Sequence, residues 1–143
     1  MLYSQKTKDI ISKQKPISIK IVKQVKDNLS KKGVVLEQSE EIDKILILHG
    51  KEAVVYAPGN TILMHTKVSA SGFYEELIHY GQFKRGGFDI SSPKDILELE
   101  IETQEKLIKF RKAYKIPDEE IQILTENLDW YKMKLEEFEK GGH

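Results

Sequence analysis

The sequence predicts one α+β domain in which a small sheet lies, in chain order, between two groups of helices. Two runs of β-forming residues alternate in polarity near the middle of the chain, at 53–57 and 61–66. The segments on either side repeat apolar residues every three or four positions, as amphipathic helices do. A length of 143 residues suits one core. We therefore expect a basic helical arm, residues 1–32, docked on an α+β domain formed by residues 33–143.

Composition excludes several classes of function. The chain has no cysteine, so it has no disulfide framework, thiol nucleophile or thiolate metal site, and any metal must be held by histidine and carboxylate groups. No apolar stretch reaches the roughly 18 to 20 residues that span a bilayer, and the N-terminus lacks the apolar segment of a secretory signal. These features predict a cytosolic protein with no membrane partner.

Two helices are predicted in the arm, over residues 4–14 and 17–31, on either side of Pro16. The second carries one apolar stripe, made of Ile17, Ile21, Val22, Val25 and Leu29. Residues 1–32 contain nine lysines against two aspartates, a balance that suits anionic partners. Arginines and interleaved aromatic residues, which nucleic-acid surfaces use, are missing there. A solvated lysine face is therefore favoured, and nucleic-acid binding is not expected.

Several elements are predicted between the arm and the second helical group. Residues 34–36 form a short strand after Gly33, and a helix runs from the N-cap Ser39 to His49. His49 complements the negative end of that helix dipole. The two β runs then pair as an antiparallel hairpin, because residues 58–60, Pro-Gly-Asn, supply a tight turn.

Three helices follow the hairpin, with predicted bounds of 71–85, 92–115 and 117 onward. Ser69 or Ser71 caps the first, and a glycine pair ends it. The second begins with a serine cap and a proline at the first helical position. The third carries an apolar stripe formed by Ile121, Leu124, Leu128, Tyr131 and Leu135.

The helix over residues 71–85 carries the strongest functional candidate. Its apolar side is formed by Phe73, Tyr74, Leu77, Ile78 and Gly81. Glu75, His79 and Gln82 lie on the neighbouring flank, and Glu75 and His79 are four residues apart, so their side chains stack on one face. Glu76 precedes His79 by three residues and borders the same patch. Three groups able to bind a metal ion therefore share one turn, although a solvated Glu-His ion pair has the same spacing.

A carboxylate on the next helix helps to decide whether the Glu75 and His79 pair is a metal site or a solvated ion pair. Glu100 lies on an apolar stripe that also contains Ile96, Thr103, Leu107, Phe110 and Tyr114. Burying an unpaired carboxylate is costly, so Glu100 should meet a cation, a metal ion or a hydrogen-bonding neighbour. We therefore expect Glu100 to lie against the face formed by Glu75 and His79. The alternative is an acid-rich, solvated helix, which also contains Glu98, Glu102 and Glu105.

The strand at 61–65, the helix bearing Glu-Glu-Leu-Ile-His and the later glutamate helix resemble the layout of minimal zincin metallopeptidases, whose motif is HExxH. In that resemblance Glu75 stands at the first histidine, Glu76 at the general base and His79 at the second histidine. The resemblance implies an α+β fold with a zincin-like active-site helix. It also implies a peptide substrate, with Glu76 polarising the attacking water.

The third ligand of glutamate-type zincins would correspond to Glu100 or, failing that, to Glu102. The departure at Glu75 matters because zinc prefers imidazole, and two carboxylates with one histidine form a harder and weaker set. Manganese, iron or calcium tolerates such ligands better than zinc. The resemblance implies either a weakly hydrolytic site that holds zinc, manganese or iron loosely, or a vestigial, metal-free domain that keeps the fold as a binding module.

The run over residues 68–82 also resembles segments in C-terminal extensions of phage minor head proteins and related prophage proteins of Gram-positive bacteria. The similarity extends over residues 33–131. It implies a phage-associated protein, located in the bacterial host cytosol or in the virion. The competing hypothesis is a non-catalytic phage module that binds a protein partner through its basic arm and a hydrophobic face. The sequence leaves the oligomeric state open.

Other templates fit less well. Di-iron bundles repeat Glu-x-x-His on two helices, whereas here only Glu76 and His79 match. The sequence contains no nucleophile elbow and no phosphate-cradling glycine loop. His65, at the end of the second β run, is either an extra ligand or base, or a satisfied structural residue.

Overall fold

The computed structural model describes residues 8–56 and 60–141, without the side chain of Asp9. Within these ranges it contains six helices and three strands, which confirms the α+β class. The helices are α1 (Lys8–Lys13), α2 (Ile19–Ser30), α3 (Glu40–Leu48), α4 (Ala70–Arg85), α5 (Pro93–Lys109) and α6 (Asp118–Gly141). The strands are β1 (Val35–Glu37), β2 (Ala53–Tyr56) and β3 (Thr61–Met64). No described helix combines the length and the apolar character needed to cross a membrane.

The chain divides into two compact units, and the division falls inside α4. The first unit ends at Tyr80 and the second begins at Gly81. α4 itself is one helix across that point. The arm over residues 1–32 and the domain over residues 33–143 stay a prediction.

The first unit contains a three-stranded mixed sheet with the order β1-β3-β2. β2 and β3 are antiparallel, with Ala53 opposite Met64, which confirms the predicted hairpin. β1 runs parallel to β3, with Leu36 opposite Ile62. Residues 57–59, which include most of the predicted turn, lie outside the described residues. The sheet is therefore small, and its central strand is β3.

β3 ends at Met64, although the alternation of polarity predicts a strand as far as Thr66. The backbone N–H of His65 still donates to the carbonyl of Glu52 at 2.7 Å, and the chain then turns, because the backbone N–H of Val68 donates to the carbonyl of His65 at 3.0 Å. The backbone N–H of Thr66 donates instead to the Asp43 carboxylate at 2.9 Å. These local bonds take the place of strand pairing.

The core of the first unit forms where the sheet meets α2 and α4. Its buried members are Val22, Val34, Leu36, Ala53, Ile62, Met64, Val68 and Phe73. The stripe predicted near the N-terminus packs against this core through the half-buried side chains of Ile17, Ile21, Val25 and Leu29. That stripe is therefore confirmed, and α2 covers apolar surface of the sheet rather than standing free in solvent.

Two helix ends in the first unit follow their predicted capping. The Ser39 hydroxyl accepts a hydrogen bond from the backbone N–H of Ile42 at 3.1 Å, which confirms the N-cap of α3. His49 is the C-cap residue of the same helix. β1 spans residues 35–37, one position later than predicted. Residues 4–7 of the first predicted helix lie outside the described residues.

The start of α4 is held by Glu52, a buried residue with 8% of its surface exposed. Its Oε1 accepts from the backbone N–H and the hydroxyl of Ser69, both at 2.9 Å, and from the Gln14 side-chain amide at 3.2 Å. The Ser69 hydroxyl in turn accepts from the backbone N–H of Gly72 at 3.1 Å. Of the two serines predicted to cap this helix, Ser69 therefore makes the bond to its first turn.

The second unit is built on α5 and α6, which pack against each other. Its buried apolar side chains include Leu97 and Leu107 of α5 and Leu124 and Tyr131 of α6. The predicted stripe of α6 is confirmed in part, since Leu124 and Tyr131 are buried and its other members are half-buried.

α5 ends at Lys109, so the predicted extension of this helix to residue 115 is wrong. The following residues form successive turns, closed by a bond of 2.9 Å from the backbone N–H of Ile116 to the carbonyl of Arg111. Lys115 adopts a left-handed backbone conformation with φ of 54°. Pro117 lacks an N–H and disfavours helical geometry in the residue before it. These features keep residues 115–117 out of a helix, and turns take the place of the last predicted segment, residues 110–115.

Gly72 and Gly81 provide a matched test of whether the hydrogen-bonded Glu52 carboxylate anchors the start of α4. A Cβ at Gly72 would lie 2.5 Å from Cδ and Oε1 of Glu52, whereas a Cβ at Gly81 meets nothing within 4 Å. Gly72→Ala should lower the free energy of unfolding by about 1–3 kcal/mol, because the hydrogen-bonded carboxylate must move. Gly81→Ala should raise it by up to about 1 kcal/mol, because alanine favours helix. Urea denaturation of both variants measures this, and equal stability would contradict the anchor.

Candidate metal centre

The most buried side of α4 is largely polar. Phe73, Glu76, His79 and Gln82 recur every third residue, and none exposes more than 3% of its surface. The sequence instead predicts an apolar side that includes Leu77, Ile78 and Gly81. That prediction holds for Leu77, which is half-buried and packs against the core with Phe73 and Tyr74, but it is wrong for Gly81, which is exposed, and Ile78 is only half-buried. Polar side chains are buried on α4 because they find hydrogen-bonding neighbours, as the contacts of Gln82 show.

α5 presents a matching buried polar segment. Glu100 and Thr103 have 0% of their surface exposed and Gln104 has 1%, between the buried apolar residues Leu99 and Leu107. The carboxylate predicted on the apolar face of this helix is therefore fully enclosed. Phe110, predicted on the same stripe, lies just past the end of the helix and is 41% exposed.

Gln82 ties the end of α4 to α5. Its side-chain nitrogen lies 3.0 Å from the carbonyl of Leu99, 3.0 Å from the hydroxyl of Thr103 and 2.8 Å from Oε1 of Glu102. The amide has two hydrogens for three acceptors, so at least one bond is shared. The Thr103 hydroxyl also donates to the Leu99 carbonyl at 2.9 Å. These bonds hold the last turns of α4, after Gly81, against this stretch of α5.

Three potential metal ligands meet one helical turn from Gln82, whose hydrogen bonds to Leu99, Glu102 and Thr103 we call the Gln82 brace. One ligand atom each from Glu75, His79 and Glu100 lies within 4.8 Å of the other two. His79 precedes Gln82 by one turn of the same helix, and Glu100 follows Leu99 on α5. Atoms that bind one ion at about 2.0–2.2 Å are at most about 4.4 Å apart, so a spacing of up to 4.8 Å is close to that of ligands that share one ion. The predicted proximity of Glu100 to Glu75 and His79 is thus found.

Burial raises the free-energy cost of keeping these groups charged. His79 is 1% exposed and Glu100 is 0% exposed, whereas Glu75 is half-buried. Glu76, 3% exposed, is a further buried carboxyl group on α4. Carboxylates enclosed together require hydrogen-bond donors, shared protons or a cation to stabilise them. The three groups could therefore hold a divalent cation, and Glu75 is the most exposed of them.

Glu102, the alternative third ligand, is held elsewhere. Nη1 of Arg85 donates to both of its carboxylate oxygens at 3.1 Å, in addition to the bond from Gln82. Burial acts to raise the pKa of Glu102, but the hydrogen bonds from Gln82 and Arg85, with the charges of Arg85 and Lys106, outweigh it and hold that pKa below its usual value. Glu102 thus stays ionised against Arg85, and Glu100 is the residue of α5 that joins Glu75 and His79.

His65 does not belong to the Glu75, His79 and Glu100 group. Its Nδ1 accepts from the backbone N–H of Lys67 at 2.9 Å, and its Nε2 lies 3.7 Å from the Asp43 carboxylate. Nδ1 is therefore hydrogen-bonded within the loop after β3, and Nε2 faces the Asp43 carboxylate of α3. Of the two roles that the sequence left open, the contacts favour the satisfied structural histidine.

Sequence reasoning missed the roles of Glu52 and Gln82. The sequence predicts only that Gln82 lies on the flank of Glu75 and His79, and the spacing of three between Glu76, His79 and Gln82 is the signal that indicates burial. Comparison of the chain with protein-family models, with curated proteins and with solved structures gives no match. The roles of Glu75, Glu76, His79 and Glu100 therefore rest on their chemistry and geometry.

Because Gln82 makes buried hydrogen bonds, replacing it should lower stability more than replacing an exposed glutamine. Gln82→Leu should lower the free energy of unfolding by about 1–3 kcal/mol, because buried acceptors lose their donor. Gln122→Leu is the control, since Gln122 is exposed and makes one long contact of 3.4 Å with Glu126, and its effect should stay within about 0.5 kcal/mol. Chemical denaturation followed by circular dichroism compares them. Similar midpoints would show that Gln82 does not hold the two helices together.

Proposed function

We propose that this protein is a divalent-metal-binding domain with a zincin-like, weakly hydrolytic site. Glu75, His79 and Glu100 hold the ion, and Glu76 is the general base. The observation that carries the proposal is that ligand atoms of these three groups lie within 4.8 Å of one another, with His79 and Glu100 buried and Glu75 half-buried. Its association with phage or prophage proteins stays a prediction that rests on sequence resemblance.

The ligand set favours a harder ion than zinc. Two carboxylates and one imidazole suit manganese or iron(II), whereas stable zinc sites use more nitrogen or sulfur donors. When bound, such an ion supplies a Lewis acid that activates water and polarises a carbonyl group. The protein contributes the fixed orientation of its ligands, because Gln82 holds α4 on α5 one turn from His79.

Glu76 supports the hydrolytic part of the proposal. It follows Glu75 directly and lies one turn before His79, which is the relation of base to ligands in an HExxH helix. Its burial, at 3% exposure, removes competing water from the carboxylate. In the proposed reaction the Glu76 carboxylate accepts a proton from the attacking water and later returns it to the leaving amine.

The enclosure of the ligands accounts for the low activity that we propose. His79 and Glu100 expose 1% or less of their surface, and only Glu75 is half-buried. A peptide carbonyl must therefore approach past Glu75, where a zincin has an imidazole. The replaced ligand and the narrow approach both act against turnover, so the substrate is an accessible, extended peptide segment rather than a folded protein.

A non-catalytic interaction module is the second candidate, and the surface of α6 favours it. Ile123 and Trp130 are seven residues apart on α6, so they share a face, and they are 53% and 44% exposed. Met133, 46% exposed, lies close to Trp130 on the same helix. Exposed aromatic and aliphatic side chains grouped in this way are typical of protein-binding surfaces. Under this candidate the Glu-His-Glu group is structural.

Metal titration separates the two candidates. The wild-type protein should bind manganese measurably and zinc weakly, whereas Glu75→His should raise zinc affinity by about tenfold or more, because it restores the second imidazole. Isothermal titration calorimetry at neutral pH measures both affinities. Glu98→His is the control, because Glu98 is exposed on α5 and lies outside the ligand group. Negligible binding of both metals by wild type and by Glu75→His would leave the interaction module as the better proposal.

Glu76→Gln tests the proposed base separately from the metal ligands. In the manganese-loaded protein this change should reduce cleavage of an unstructured fluorogenic peptide by about 100-fold or more, because proton transfer is lost. Manganese affinity should change by less than about threefold, since Glu76 is not a ligand. Unchanged cleavage would contradict the role of Glu76. Metal binding without cleavage by either protein would identify the site as vestigial.

A further inference from the structure

A second candidate site lies in the first unit and shares no residue with the proposed metal group. It is a pocket of about 610 Å³ formed by α1, α3 and the loop after β3. That volume falls in the usual range of small-molecule pockets, about 300–1,000 Å³. Nothing in the proposed hydrolytic function accounts for it.

The pocket has an apolar inner surface. Ile11 of α1 is buried, with 1% of its surface exposed, and Ile47 of α3 is half-buried beside it. Leu48 also lines the pocket and is 81% exposed, a costly position for a large aliphatic side chain. An apolar ligand body would remove the exposed leucine from water.

The polar wall is fixed before any ligand binds. The Asp43 carboxylate accepts from both the backbone N–H and the hydroxyl of Thr66, at 2.9 and 2.5 Å. His65 is held between Asp43 and the backbone of Lys67. The Gln14 side-chain amide donates to the Lys67 carbonyl at 2.6 Å and so secures the same loop. Such a wall pays little conformational entropy on binding.

The contacts of His65 also exclude a hydrolytic dyad in this pocket. A catalytic histidine needs one ring nitrogen bonded to its carboxylate and the other facing the nucleophile. Here Nδ1 accepts from the Lys67 backbone, and Nε2 faces Asp43. Ser12 also lines the pocket, but the ring offers it no nitrogen to act as a base. The pocket is therefore a binding site rather than a second catalytic centre.

The charges around the pocket favour an anionic ligand. Lys8, Lys44 and Lys67 line it, against Glu40 and Asp43. Asp43 directs both carboxylate oxygens toward Thr66, so it presents less negative charge to a ligand. Lysine side chains place their methylene groups against apolar surface and their ammonium groups in water at the rim. The arrangement suits a molecule with an apolar body and one negative head group.

From these observations we infer that the pocket binds a small organic anion with an aliphatic or aryl body, such as a medium-chain carboxylate. Ile11, Ile47 and Leu48 contact the body, and the lysines attract the carboxylate. The inference is independent of the proposed metal site.

Octanoate is the test ligand, with octan-1-ol and octylamine as neutral and cationic probes of the same chain length. Two-dimensional ¹H–¹⁵N spectra of the full chain should show octanoate shifting the amide signals of residues 43–48 and 65–67, with a Kd on the order of 1 mM. Octanol should bind several-fold more weakly, and octylamine more weakly still. Absence of shifts at 20 mM octanoate, about twenty times that expected Kd, or equal binding of all three probes, would overturn the inference.

Two pairs of variants separate the apolar and the charged contributions. Lys44→Glu should weaken octanoate about tenfold and leave octanol unchanged, whereas Lys26→Glu, on an exposed position of α2 outside the pocket, should change neither. Leu48→Ser should weaken both probes, and Ile19→Ser, which alters a side chain 85% exposed on α2, should weaken neither. The side chains of Leu48 and Ile19 are both largely exposed to solvent, so both serine variants should fold. Octanoate affinity that is unaffected by Lys44→Glu and Leu48→Ser would refute this site.

Discussion

The arrangement of the candidate centre depends on α4 being held near both of its ends. At its start, one oxygen of the buried Glu52 carboxylate lies within hydrogen-bond distance of two donors of Ser69 and one of Gln14. Toward its end, Gln82 bonds to Leu99 and Thr103 of α5. Each end of this continuous helix is therefore held by buried hydrogen bonds within its own compact unit. Glu75, Glu76 and His79 all lie between these two ends.

Much of the fold could be predicted because it follows from local chemistry. The hairpin was predictable from alternating polarity. The cap at Ser39 was predictable from a serine before an acidic first turn, and the packing of α2 was predictable from a stripe of apolar residues. Each of these signals lies within a few neighbouring positions. The sequence predicts the end of α5 at residue 115 instead of Lys109, because the residues after Lys109 have ordinary helical composition. The left-handed conformation of Lys115, next to Ile116 and Pro117, is visible only in the structure.

The polar interior was harder to predict, because burial of a charged side chain is decided by partners distant in sequence. Glu52 is a single acidic residue between a helix and a strand, and by composition it resembles a surface position. Its partners Ser69 and Gln14 are 17 and 38 residues away. Glu100 was the exception, since it interrupts an apolar stripe on its own helix. A polar residue within a periodic apolar face is therefore a usable signal, whereas a buried polar residue outside any periodic pattern is not.

Charge balance decides what the enclosed Glu75, His79 and Glu100 group can hold. Arg85 lies on the same helix as Glu75 and His79, but it binds both oxygens of Glu102 and so neutralises a different carboxylate. Compensation by bound protons would make Glu75 and Glu100 neutral hydrogen-bonding groups, which suits a structural role. Compensation by a divalent cation would keep both ionised and uses the imidazole as a third donor. Glu75 is half-buried and so remains in contact with solvent, whereas His79 and Glu100 are enclosed, and the enclosed pair is where this compensation matters most.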